Sequence, residues 1–243
     1  MLNISAVGYE HEDLHDKAKA IAKQLNFILD KNASACLFVT ENQLSLKIAG
    51  FSPISAEFGA AFWSKRKSEG KKQGLVRACK PSPGLKIIDA TAGWGRDSAI
   101  LASFGAEVLM FERHPVMASL LSDALIRRNE LEQHPLHLIL HAGDAYSYLS
   151  SLAEQDYPDV IYIDPMHPER SKSALVKKEM QALQQIIGAD EDALELIQLA
   201  ITRTKQKVVV KWPQKIKPLL PENAAIEGKT VRFDIYFSNL RQL

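Results

Sequence analysis

The sequence predicts an α/β protein: a doubly wound, mostly parallel sheet with an antiparallel edge, preceded by a small α+β appendage. Three observations carry this. Short apolar runs rich in β-branched residues alternate with segments of helical apolar spacing from about residue 85 to residue 211. The first run, residues 85–89, meets a Gly-x-Gly turn at Gly93-Trp94-Gly95 and then a helical segment opening at Ser98. Beyond Lys211, the runs 224–227 and 231–237 flank Gly228-Lys229 as a closing hairpin.

Composition narrows the class. The 243 residues suit one large domain or a core with an appendage, and 46% are apolar, ample for a buried core. No apolar run approaches a membrane span, and the N-terminus shows no basic-then-apolar signal pattern. Cys36 and Cys79 have no C-x-x-C spacing, and the seven histidines form no ligand cluster. A reduced, cytoplasmic chain without metal or membrane is expected. The net charge of +1 announces no nucleic acid by itself, so the placement of charge matters more than its sum. Residues 1–60 read as the appendage, with strands at 3–7, 35–40 and 44–48 and a helix at 14–25. Residues 61–243 read as the main domain.

The glycine turn is where the chemistry gathers. Gly93 and Gly95 permit positive φ and close approach of backbone N–H groups to a ligand. Taken alone, a Gly-x-Gly is also an ordinary turn. Ser98 stands where a dinucleotide fingerprint has its third glycine, and Asp89 and Asp97 put negative charge at both ends of the loop. Such a loop suits cationic or hydroxyl-rich groups better than a pyrophosphate. S-adenosylmethionine, with its sulfonium, ammonium and ribose hydroxyls, fits that description.

The later strands extend the site. The run 107–111 ends in Glu112, an acid placed either for paired ribose hydroxyls or to cap the next helix, 115–128. A strand at 136–140 leads into His141-Ala142-Gly143-Asp144. Asp144 suits the N-cap of helix 145–152 and an acceptor for an adenine amino group, roles that are compatible. The strand 160–163 ends in Asp164-Pro165-Met166-His167-Pro168. Two prolines stiffen this end and remove N–H donors, leaving a carboxylate and a carbonyl able to hold both hydrogens of a planar NH2 group. Standing alone, the motif would read better as a proline-stiffened loop.

Cations flank these acids. Lys65, Arg66, Lys67, Lys71, Lys72, Arg77, Lys80 and Lys86 face Glu69 alone in the stretch 62–86. They form either a solvated helix or a phosphate-contacting surface, with Phe58, Phe62 and Trp63 as core or as stacking partners. Arg170, Lys172, Lys177 and Lys178 form a second group, in a loop running into a helix to about residue 187. A helix at 191–204 and a strand at 207–211 complete the alternation.

In order and spacing, Asp89-x-Thr-Ala-Gly93-x-Gly95-Arg96-Asp97, Glu112-Arg113, His141-Ala-Gly143-Asp144 and Asp164-Pro-Met-x-Pro168 resemble the class I S-adenosylmethionine-dependent methyltransferases. More narrowly, Lys172–Met180, Val208-Val-Val-Lys211 and Arg232-Phe-Asp-Ile-Tyr236 resemble the RsmJ family, bacterial methyltransferases of a guanine N2 in small-subunit (16S) ribosomal RNA. The resemblance spans roughly residues 56–237. It implies a seven-stranded Rossmann-like sheet and S-adenosylmethionine as cofactor. It also implies a cofactor site lined by Arg96, Asp97, Glu112, Arg113, Gly143, Asp144 and Asp164, joined by Asp89, Gly93 and Gly95 from the loop. The expected partner is 16S rRNA or the small ribosomal subunit.

Asp164 and the Pro165 carbonyl would orient the target amine, and His167 would stack on the base. His167 stands where the family usually has an aromatic residue, and Trp212 where it tends to a basic one. The cations named above, with Lys211, would hold RNA phosphates. Alternative readings are methylation of another planar amine in DNA or on a protein glutamine, an RNA-binding assembly factor without turnover, and a nicotinamide oxidoreductase. Ser98 and the lack of a catalytic His/Lys/Tyr constellation speak against the last.

Overall fold

The computed structural model describes residues 3–131, 136–166 and 190–242. They fall into two compact units. The first takes in the described residues of Met1–Glu57 and His114–Gln133; the second takes in those of Phe58–Arg113, His134–Pro165 and Asp190–Leu243. The expected helix between residues 169 and 187 lies outside the described residues.

In the first unit, β1 (Ala6–Tyr9), β2 (Ile28–Leu29), β3 (Cys36–Val39) and β4 (Leu44–Lys47) form a sheet in the order β2-β1-β3-β4. β3 and β4 are the expected hairpin, closed where Thr40 N–H donates to the Gln43 carbonyl at 3.0 Å. The helix α1 (His15–Leu25) buries Ala18 and Ala22 and stops at Asn26, whose φ of 57° ends the helical repeat. The parallel strand β2 was not expected, because two residues are too few to show an alternating pattern. A long helix, Pro115–Leu131, belongs to the same unit. Its Asp123 accepts the Leu44 N–H, and its Arg127 forks onto Asp123, Glu57 and the Ala56 carbonyl.

The second unit begins with α2 (Ala60–Glu69) and α3 (Gly74–Cys79). Its sheet contains β5 (Lys86–Asp89), β6 (Glu107–Glu112), β7 (Leu138–Ala142), β8 (Val160–Ile163), β9 (Lys207–Pro213), β10 (Ala224–Glu227) and β11 (Val231–Phe237). The spatial order is β10-β11-β9-β8-β5-β6-β7. β7, β6, β5, β8 and β9 are mutually parallel, and β11 is antiparallel to both β9 and β10. The antiparallel element is therefore one strand in from the edge. β8 reads as a continuous apolar run because both of its faces are covered.

Side chains alternate between those faces. Ile88, Ile161, Val208 and Val210 share a core with Ala145 and Leu149 of α6 (Ala145–Ser151) and with Leu196, Ile197 and Ala200 of α7 (Ala193–Ile201). Asp89, Tyr162 and Lys211 point the other way, toward α4 (Arg96–Ser103), whose Ser98 and Asp97 they meet. Numbering α5 as Pro115–Leu131, the strand and helix boundaries lie close to those expected from the sequence.

The chain runs from β5 to β6 on one side of the sheet, and β8 enters on the other side of β5. The carboxyl ends of β5 and β8 thus flank a topological switch point, where open α/β sheets bind their ligands.

Candidate active site

The loop after β5 is tied to the strands on both sides. Ala90 N–H donates to the Tyr162 carbonyl on β8 at 2.9 Å, and Ala92 N–H donates to the Phe111 carbonyl on β6 at 2.9 Å. Gly93 N–H donates to Glu112 Oε2 at 2.9 Å, while Asp164 N–H donates to Thr91 Oγ1 at 2.7 Å. Gly93 and Gly95 have φ of 55° and 68°, so both stand in the left-handed region that the sequence predicted. Gly95 is also the residue from which α4 starts. Gly143 N–H donates to the Glu112 carbonyl at 2.9 Å, which brings the β7 end to the same place. A Cβ on Gly143 would stand 3.1 Å from the His141 ring.

The acids divide by what holds them. Asp89 is 1% exposed, accepting the Ser98 hydroxyl at 2.5 Å and the Thr91 N–H at 3.2 Å. Asp97 accepts both Arg66 Nη groups on Oδ1, at 3.1 and 3.2 Å. Its Oδ2 takes the Tyr162 hydroxyl at 2.8 Å and Lys211 Nζ at 3.2 Å. Burial works to raise the Asp97 carboxyl, but Lys211, Arg66 and the Tyr162 hydroxyl hold it well below the usual carboxylate range. Protein groups thus engage both oxygens of Asp89 and of Asp97, tying these two expected cofactor-site acids into the loop. They shape the loop from beneath.

Glu112 and Asp144 keep the expected positions at the ends of β6 and β7. Asp144 caps α6, with Oδ2 accepting the Ser147 N–H and hydroxyl, both at 2.8 Å. Arg113, expected at the cofactor, forks onto Asp192 at 2.6 Å and Asp190 at 2.5 Å, just before α7. Arg96 opens α4.

Asp164 ends β8 with a third of its side chain exposed, and its Oδ2 accepts Lys211 Nζ at 2.6 Å. Burial first, and then the neighbouring Asp97 and Asp190, raise its carboxyl above the ordinary value; Lys211 opposes them. Lys211 is itself held in the charged form by Asp97 and Asp164 against burial.

Among the expected phosphate-binding cations, two are paired with acids. Arg66 and Lys211 spend their charge on Asp97 and Asp164 inside the site. Lys67, over the Trp63 ring at 5.4 Å, and Lys72, Arg77, Lys80 and Lys86 remain exposed. The side chains of Lys65 and Lys71 lie outside the described set, as do His167, Arg170, Lys172, Lys177 and Lys178. Trp212 is no stacking platform: it is 6% exposed in the core, with its indole N–H on the Lys217 carbonyl at 3.0 Å. Thr91 and Tyr162 escaped the sequence reading. Tyr162 left a signal, since a hydroxyl in an otherwise aliphatic buried strand needs a partner.

This strand order, with a glycine loop on the central strand and acids closing the strands beside it, defines a class I S-adenosylmethionine-dependent methyltransferase. The donor set fits that cofactor. Carboxylates at the β6 and β7 ends suit hydroxyl and amino groups, and Arg66 and Lys211 beside the loop are already paired with Asp97. A family model described as "Putative SAM-dependent methyltransferase" matches residues 20–238. Ribosomal RNA small subunit methyltransferase J of Legionella pneumophila (strain Lens) is 66% identical over 236 residues, covering 97% of each chain. The protein of that name from Thioalkalivibrio sulfidiphilus is 39% identical, over 95% of this chain and 96% of its own. The crystal structure of a SAM-dependent methyltransferase from Neisseria gonorrhoeae superposes with a TM-score of 0.72 at 27% identity, covering 96% of both chains. The chain belongs to the ribosomal RNA small subunit methyltransferase J family.

Proposed function

We propose that this chain moves a methyl group from S-adenosylmethionine to the exocyclic N2 of a guanine in small-subunit (16S) ribosomal RNA, in the cytoplasm. Asp164 carries the reading: a partly exposed carboxylate at the end of β8, followed by a proline and beside the glycine loop. The names of the relatives supply the RNA class. Glu112 would hold the ribose hydroxyls and Asp144 the adenine amino group, with backbone from Gly93 to Gly95 and at Gly143 approaching closely. When bound, the cofactor supplies a methyl carbon made electrophilic by a sulfonium, whose sulfur keeps the bonding pair.

The chain's own residues then act on the amine. A guanine amine has its lone pair delocalised into the ring, so it is a poor nucleophile when planar. Asp164 and the Pro165 carbonyl accept its two hydrogens and favour the pyramidal form in which that pair points away from the ring. As the N–C bond forms, the proton the amine sheds passes to Asp164. His167 would stack on the base, which has to be flipped out or unpaired to enter. Exposed cations such as Lys67 and Lys72 would hold phosphates. We assign the reaction to residues 61–243 and no catalytic role to residues 1–60.

The test is transfer of labelled methyl from S-adenosylmethionine to small ribosomal subunits from cells lacking this protein, followed by nucleoside analysis. Wild type should place label in N2-methylguanosine. Asp164→Ala should keep cofactor affinity within several-fold while nearly abolishing turnover. Label in another nucleoside would overturn the N2 assignment. Equal loss of affinity and turnover would make Asp164 a cofactor ligand instead.

A further inference from the structure

We infer that Lys211 is a positioning residue for methyl transfer: it holds Asp164 as an oriented carboxylate, with Asp97 as the second anion that fixes the ammonium in place. The inference rests on the reading of Asp164 as the acceptor for the target amine. Geometry supports it in three ways.

The β8–β9 register pairs Ile163 with Val210, so Asp164 and Lys211 follow as neighbours on adjacent strands. Lys211 Nζ bridges Asp164 Oδ2 at 2.6 Å and Asp97 Oδ2 at 3.2 Å, two anchors that fix its direction. Asp97 is braced in turn by Arg66 and the Tyr162 hydroxyl. The contact falls on Oδ2 of Asp164, so that among the described residues Oδ1 is left to accept an amine hydrogen.

Charge explains why a cation is needed there. Asp164 is surrounded by acids: Asp97 on α4, Asp89 on β5 and Asp190 ahead of α7, with the neutral Tyr162 hydroxyl below. Arg66 spends its guanidinium on Asp97 Oδ1. Among the described residues, Lys211 is therefore the cation in contact with Asp164. Without it, burial and the neighbouring acids act unopposed and favour the protonated form of the Asp164 carboxyl. The protonated acid would present an O–H donor to an amine that needs acceptors, and it could not receive the amine's proton.

The experiment is a titration of the Asp164 carboxyl carbon by NMR, in the cofactor-free wild-type protein, Lys211→Met and Asp97→Asn. Losing the cation should move the Asp164 midpoint up by about one to three pH units. Removing the neighbouring anion in Asp97→Asn should move it down. Opposite signs from two substitutions in one cluster are not what general loosening would produce, and Asp97→Asn keeps the test open if Lys211→Met folds poorly. A Lys211→Met midpoint within a few tenths of a unit of wild type, or below it, would overturn the inference.

Turnover provides the second readout. The acid limb of kcat should move up with the Asp164 midpoint in Lys211→Met, so that kcat is lost at a pH where wild type is still active and recovers in alkali. The cofactor Kd should stay within several-fold. A loss of kcat equal at every pH would reduce Lys211 to a structural role. If wild type itself fails to methylate guanine, the reading of the substrate is wrong, and the carboxyl titration still decides what Lys211 does.

Discussion

At Asp89 a carboxylate with almost no solvent contact accepts the Ser98 hydroxyl and the Thr91 N–H, yet burial outweighs both and pushes its pKa up to about 7. An unfolded aspartate titrates near about 3.9. Between those values the folded chain holds a proton that the unfolded chain has released, so this group's contribution to stability falls as pH rises through the window. Asp89→Asn removes that slope. In urea titrations from about pH 4 to pH 7, the variant's unfolding free energy should gain on wild type by about 1.4 kcal/mol per pH unit. A constant difference would show that Asp89 titrates normally. The residue scale is also where the sequence was least informative. Asp89, Asp97 and Glu112 stood out as acids beside a glycine turn, but which protein groups each would meet depended on distant partners such as Lys211, 114 positions from Asp97. Trp212 shows the same limit, since an aromatic after a strand reads alike whether it stacks on a base or fills a core.

The elements were more legible, because period and punctuation are local properties. β5, the glycine turn and α4 follow from an apolar run, two residues free to adopt positive φ and a helical repeat. The two-residue β2 carried no such pattern. The cap of α6 permits a test of compatible roles. Asp144→Ala should lower stability by about 1 kcal/mol, and Asp144→Ser should restore most of it by keeping a capping hydroxyl. If Asp144 also accepts the adenine amino group, both variants should weaken cofactor binding several-fold by calorimetry. Full affinity in Asp144→Ser would limit the residue to its cap. In the glycine turn between β5 and α4, Gly95, at φ 68°, should tolerate alanine poorly, with Gly95→Ala costing on the order of 1 kcal/mol in thermal or urea unfolding. An unchanged midpoint would argue that the loop adjusts.

For the molecule as a whole, the net charge of +1 conceals a division between cations that face solvent and cations that neutralise the site. Lys67 and Lys72 belong to the first kind, Arg66 and Lys211 to the second. RNA affinity measured against salt should separate them. The joint change Lys67→Ala and Lys72→Ala should flatten the log–log slope by about 1.5, at 0.7–0.9 per phosphate contact. Arg66→Ala should leave the slope unchanged while disturbing Asp97. A flat response to the lysine pair would place the RNA elsewhere.

The strand order has one more consequence, in how the chain is made. β5 sits in the middle of its sheet, but its partner on one side, β8, pairs Ile161 with Ile88 from 73 positions later. At about 5–20 residues per second, synthesis reaches that partner roughly 4 to 15 seconds after β5 is complete. Through that interval the nascent sheet offers an apolar, unpaired β5 edge, the feature that mature proteins take care to cover. Nascent chains stopped before Val160 should therefore aggregate or stay bound to chaperones, and release should come once β8 has emerged and docked.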